Sequence, residues 1–222
     1  LDDISVIADS YQEVTTVAAT IGLSKKRSFA GAASIYLMDM DTRAFIGGAS
    51  STSPRATAMA GGNVTIEANS ETEFPLMLAG SLAGSTGSTS IGASAVVLLH
   101  TDRVTAYIGK NSVVDGKGAG GDSTSMTGTV GVTRPFTGVS VTATSNDEYL
   151  ALAVGGAGAL EGTGGQGSAV VLVMDEITRA YIDDGAEVNT TSHSTDDLSQ
   201  DVIVFASDKT DLTGVAGALA FG

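Results

Sequence analysis

Apolar and polar residues alternate along short stretches of this chain, and the stretches recur. Ile4-Ser-Val-Ile-Ala8 aligns with Val64-Thr-Ile-Glu-Ala68, Val141-Thr-Ala-Thr-Ser145 and Val202-Ile-Val-Phe-Ala206, in steps of 60, 77 and 61 residues. A second block runs ASIYLMDMDTRAFIGGAS from Ala33, ASAVVLLHTDRVTAYIGKNS from Ala93 and GSAVVLVMDEITRAYIDDGA from Gly167. Each copy is an apolar run, an acidic or polar break, then the motif (T/V)(R/T)A(F/Y)I. Alternation with a period of two is the mark of a strand, and Val, Ile, Thr and Tyr are the residues that fit a pleated sheet. The pattern predicts strands of about five to eight residues, parted by Gly, Asn, Asp and Ser, with helical periodicity nowhere sustained.

Tight hairpins do not account for a period near 60, whereas stacked structural repeats do. The expected fold is all-β, a right-handed parallel β-helix (β-solenoid) in which one repeat of about 60 residues spans about three coils of about 20 residues each. The repeats are 4–63, 64–140, 141–201 and a partial 202–222 within a single segment, 1–222. Because the chain begins without Met and stops inside a repeat, it reads as a fragment of something longer. Ile4, Val6 and Ala8 then face inward, as do Val64, Ile66, Ala68; Val141, Ala143, Ser145; and Val202, Val204, Ala206. Ser145 is the polar member of that set, and it needs a backbone partner if buried.

The same parity turns Ala44, Ala106 and Ala180 inward with Ile46, Ile108 and Ile182, and leaves Phe45, Tyr107 and Tyr181 as an outward stripe. With three coils per repeat, those rings lie about 14 Å apart and cannot touch. The Gly/Ser/Thr-rich insertion from Gly116 to Val139 lengthens the second repeat. It reads as a loop over Asp115 to Ser125 followed by an extra coil, with Gly128–Thr133 pairing against Val139–Thr142.

Charge narrows the function classes. The 222 residues carry a formal net charge of −14, which repels nucleic acid and anionic membrane surfaces. No apolar run reaches the length of a spanning helix, so no membrane insertion is expected. With no Cys there is neither a disulfide framework nor a thiolate metal site.

Candidate chemistry is thin. Gly116–Gly121 and Gly162–Gly167 match G-x-G-x-x-G, but neither is followed by a helix pattern that could cradle a phosphate. The acidic groups Asp39/Asp41, Asp183/Asp184 and Asp196/Asp197/Asp201 lack calcium-loop spacing and read as solvated turns. Arg43 and Arg179 occupy equivalent positions of the repeat, as structural residues do, and His100 and His193 each stand alone in the sequence. No catalytic residue, metal ligand or cofactor is assigned, and the chain is not expected to be an enzyme. The ligand-binding candidates are Phe45, Tyr107 and Tyr181, whose rings could stack on sugars or pack on a partner.

The blocks VTIEANSET, GASAVVLL…VTAYIG and GSAVVLVMDEITRAYIDDGAEV resemble repeats of large secreted bacterial exoproteins, the filamentous-haemagglutinin-like adhesins of two-partner secretion and autotransporter systems. The resemblance covers nearly the whole chain and carries over no functional residue. It implies an extracellular or cell-surface β-helix serving as the shaft of an adhesin, which meets host or bacterial surface glycans or proteins through its parent chain. The alternatives are a subunit of an extracellular filament or matrix, associating head to tail or laterally, and a carbohydrate-binding or polysaccharide-cleaving β-helix.

Overall fold

The computed structural model describes residues 3–48, 50, 55–119, 123–126, 133–190 and 200–222, and every regular element among them is a strand. Seven strands are long: β1 (Ile4–Ser24), β2 (Arg27–Ile46), β4 (Val64–Ser85), β5 (Thr89–Ile108), β9 (Gly138–Ala159), β10 (Thr163–Ile182) and β12 (Asp201–Phe221). Five are short: β3 (Thr57–Ala60), β6 (Val113–Gly116), β7 (Ser123–Met126), β8 (Thr133–Phe136) and β11 (Glu187–Val188). The chain is therefore all-β, but its main strands are two to four times longer than the alternating stretches predicted. Asn69-Ser70 and Asn146-Asp147, of the residue types expected to part the strands, lie within strands β4 and β9.

Three parallel sheets take up almost all of these strands. Sheet A orders β1-β4-β9-β12, sheet B orders β2-β5-β10, and sheet C orders β3-β6-β11. The chain passes through A, B and C in turn, then re-enters A beside the strand it left. Ile4 pairs with Val64 and Ile46 with Ile108, so equivalent residues of successive repeats are direct neighbours. One repeat thus makes one circuit, which corrects the expectation of three coils per repeat. Successive circuits lie about 4.8 Å apart, and a 21-residue strand extends about 70 Å within each, so these few circuits form a broad, shallow stack.

The register also corrects one repeat boundary. Val64 pairs with Val139, not Val141, and Val139 with Val202, so the steps are 60, 75 and 63. A two-residue slip preserves facing, and Ile66, Val141, Ala68 and Ala143 are all buried as expected. Ser145 belongs instead to a polar row with Ser10, Ser70 and Asp208. Its partners are carboxylates, not backbone: the hydroxyl lies 3.1 Å from Asp147 Oδ2 and 3.4 Å from Asp102 Oδ2.

Sheets A and B pack face to face over two apolar clusters. One, near sheet C, contains Val64, Ile66, Val104, Ala106, Ile108, Val139 and Val141. The other, in mid-strand, contains Phe74, Met77, Val96, Leu98, Tyr149 and Ala151. β4 carries one residue more than its neighbours at Pro75, and its register shifts between Phe74 and Met77; a bulge is where proline is tolerated inside a sheet. The corner from B to C is turned by left-handed residues, Gly47 (φ 83°), Asn111 (φ 55°) and Gly185 (φ 71°).

Among the described residues, the insertion forms no extra coil. β7 and β8 form an antiparallel pair, Ser123 opposite Phe136 and Met126 opposite Thr133. Ser125 Oγ is 2.6 Å from Ser140 Oγ, which sets the pair against the start of β9. Val139–Thr142 is thus strand β9 of sheet A, Thr133 belongs to β8, and residues 128–132 of the expected pairing lie outside the described residues. The expected loop is partly strand too, since Asp115 closes into β6 and Ser123–Ser125 into β7.

Candidate functional site

Strands β2, β5 and β10 bring Phe45, Tyr107 and Tyr181 into one row on the outer face of sheet B. The rings form a continuous ladder: Phe45 and Tyr107 have centroids 5.0 Å apart at 6°, Tyr107 and Tyr181 5.1 Å apart at 3°. The 14 Å spacing expected from three coils per repeat is therefore wrong. Tyr107, in the middle, is 7% exposed, whereas Phe45 at the edge is 45% exposed. Both faces of Tyr107 lie against neighbouring rings, so it has none to offer a sugar. Arg43, Arg103 and Arg179 line the same surface with Tyr107 and Tyr181. Arg43 pairs with Asp41, and Arg103 with Asp39 at 3.2 Å, so these two acids of the predicted acidic turns are strand residues held in ion pairs. Of the remaining acidic candidates, Asp183 and Asp184 do sit at a turn, while Asp196 and Asp197, like His193, lie outside the described residues.

Inside the stack, a polar belt separates the two apolar clusters. Along β5 the inward positions run Leu98, His100, Asp102, Val104, and along β9 they run Ala143, Ser145, Asp147, Tyr149. Parallel pairing adds Glu176 of β10 beside Asp102 and Thr210 of β12 beside Asp147. His100 is therefore not alone: one ring nitrogen of His100 and one carboxylate oxygen each of Asp147 and Glu176 lie within 4.8 Å of one another. The His100 and Tyr149 ring centroids are 5.7 Å apart.

Burial here is nearly complete, with His100 2%, Asp102 1% and Asp147 1% exposed; Glu176 is half-buried. Few of these groups are satisfied. Thr210 Oγ1 donates to Glu176 Oε2 at 2.6 Å and Ser145 serves Asp147 and Asp102. Both His100 nitrogens, Asp102 Oδ1, Asp147 Oδ1, Glu176 Oε1 and the Tyr149 hydroxyl have no protein hydrogen-bond partner.

Burial dominates the electrostatics. It pushes the Asp147 carboxyl up to about 6, with the Asp102 charge adding to the rise and the Thr72 and Ser145 hydroxyls opposing it. It raises Glu176 and Tyr149 as well. It lowers His100 against the pull of Asp102 and Glu176, favouring the neutral imidazole.

A third feature reverses the usual polarity of a core. In the half of sheets A and B beside the β1–β2 turn, the outer faces expose Val17, Ile21, Leu23, Leu82, Leu219 and Phe221 on A, and Phe29, Ile35, Leu37, Ile91 and Val173 on B. The inner faces carry serines that bond to one another and to backbone. Ser90 Oγ donates to Gly158 O at 2.7 Å, Ser94 Oγ to Val154 O at 3.0 Å, and Ser168 Oγ to Gly217 O at 2.8 Å.

No protein-family model, curated protein or solved structure matches the chain.

Proposed function

We propose that the chain is a right-handed β-solenoid and a structural shaft segment of a large secreted or cell-surface bacterial adhesin. The observation that carries this reading is the residue-by-residue register of successive repeats over about 20 positions, unbroken in sheet B and shifted in sheet A at the Pro75 bulge. Such stacking propagates without limit in principle, each circuit covering the edge of the last. Repetition of Arg43 with Arg179 and of the ring ladder fits a scaffold, because a unique catalytic centre needs unlike groups at unlike positions. Electron microscopy of the parent protein on its cell tests the reading: single tethered rods are expected, and a compact globule would refute it.

A second reading, a subunit of an extracellular filament or matrix, is favoured by the apolar outer faces at Val17–Leu23 and Phe29–Leu37, which bring chains together laterally. The edges of sheets A and B also leave backbone groups open to head-to-tail pairing. The same micrographs separate the two readings, since a matrix subunit appears as bundled fibres.

A further inference from the structure

We propose that His100, Asp147 and Glu176 form an interior site for a divalent first-row transition-metal cation, zinc being the reference ion. The inference is independent of the shaft reading. Three strands from two sheets converge on the site: β5 supplies the imidazole, β9 and β10 the carboxylates, and their ligand atoms lie within 4.8 Å of one another. Ligand atoms about 2.1 Å from one zinc lie about 3.5 Å from each other, so side-chain shifts of about an ångström close this cluster around a single ion.

The second observation is the set of unpaired atoms. A histidine that is 2% exposed with neither nitrogen hydrogen-bonded is costly in an apolar interior, and so is the free Oδ1 of Asp147. A divalent cation would satisfy one imidazole nitrogen and one Asp147 oxygen together. It also offsets a charge excess, because Asp102 adds a third carboxylate, and the described ion pairs involve Asp41, Glu187 and Asp39, none of these three.

Donor chemistry selects the ion. One nitrogen and two carboxylate oxygens suit zinc, cobalt or nickel; calcium and magnesium favour all-oxygen cages, and copper(I) favours sulfur. The remaining groups resemble the outer supports that orient ligands, with Thr210 holding Glu176 Oε2 and Ser145 holding Asp147 Oδ2. The half-buried Glu176, on the last strand of sheet B, gives the ion its route in from the open edge.

The test uses the whole chain stripped with chelator and titrated with zinc chloride alone, with bound metal counted by elemental analysis after dialysis. One zinc per chain is expected, with a rise in melting temperature. Glu176→Gln and His100→Gln should each weaken binding at least tenfold, and cobalt(II) should show d–d absorption that Glu176→Gln abolishes. Circular dichroism of each variant establishes folding, and Glu176→Gln, at the half-buried edge, decides if His100→Gln misfolds. Absence of zinc binding, unchanged binding in a folded Glu176→Gln variant, or equal affinity for calcium would overturn the site.

Discussion

Phe45 and Tyr107 stack face to face, their ring centroids 5.0 Å apart and their planes inclined by 6°. Sixty-two positions separate them in sequence, yet Phe45 and Tyr107 are register partners on adjacent strands. Stacking at that distance requires the chain to complete one circuit, neither more nor less, between the two residues. The spacing of two rings thereby sets the coil length of the whole stack.

Because the ladder is packed, its members differ in worth. Tyr107, 7% exposed between two rings, should cost about 3 kcal/mol when changed to Ala, whereas Phe45, 45% exposed with one neighbour, should cost about 1 kcal/mol. Guanidinium midpoints at unchanged slope measure the difference. Equal losses would mean that the rings stabilise nothing through their mutual contact.

The interior should discriminate more sharply. Ile108 is fully buried in the cluster near sheet C, so Ile108→Asp places a carboxylate there at a cost of several kcal/mol or a large shift in its own pKa. Lys110, just past the end of β5, should tolerate Ala within about 0.5 kcal/mol. Similar melting temperatures for the two variants would show that the inward facing of Ile108 is wrong.

Facing was legible in the sequence and coil length was not. Alternation puts Ile66, Ala106 and Ile108 inward whatever the strand length, since a period of two depends only on the backbone. The extent of each strand was hidden because polar residues, read as breaks, continue the alternation into a polar belt. Leu98, His100, Asp102 and Val104 keep one parity, which is the signal that would have found the buried cluster. No local rule brings Asp147 and Glu176 to His100, because their meeting depends on two successive circuits being in register.

The exposed apolar rows make association testable. Ile21 and Ile35 are 72% and 63% exposed on the outer faces of sheets A and B, so Ile21→Glu with Ile35→Glu removes no buried contact and should leave melting nearly unchanged. The same double change should shift sedimentation from oligomer to monomer if these faces hold chains together. A wild-type chain that sediments as a monomer at high concentration would remove lateral association from its repertoire.

The buried carboxylates predict an unusual dependence on pH in chelator-treated protein. Asp147 rises from 3.8 to about 6 on folding, so between those values the folded chain binds a proton that the unfolded chain has released. Its contribution is therefore fully present below about pH 4 and is lost as pH rises through about 6, a change of roughly 3 kcal/mol for a two-unit shift. Glu176 runs in the same direction, while His100, lowered on folding, opposes both by costing stability as pH falls below 6.5. Subtraction isolates the Asp147 part: Asp147→Asn is neutral at every pH, so its stability relative to wild type should grow from pH 4 to pH 6 and then level off. Urea denaturation of both proteins at half-unit steps measures that difference, and a flat difference across the window would show that Asp147 ionises in the folded chain as it does in the unfolded one.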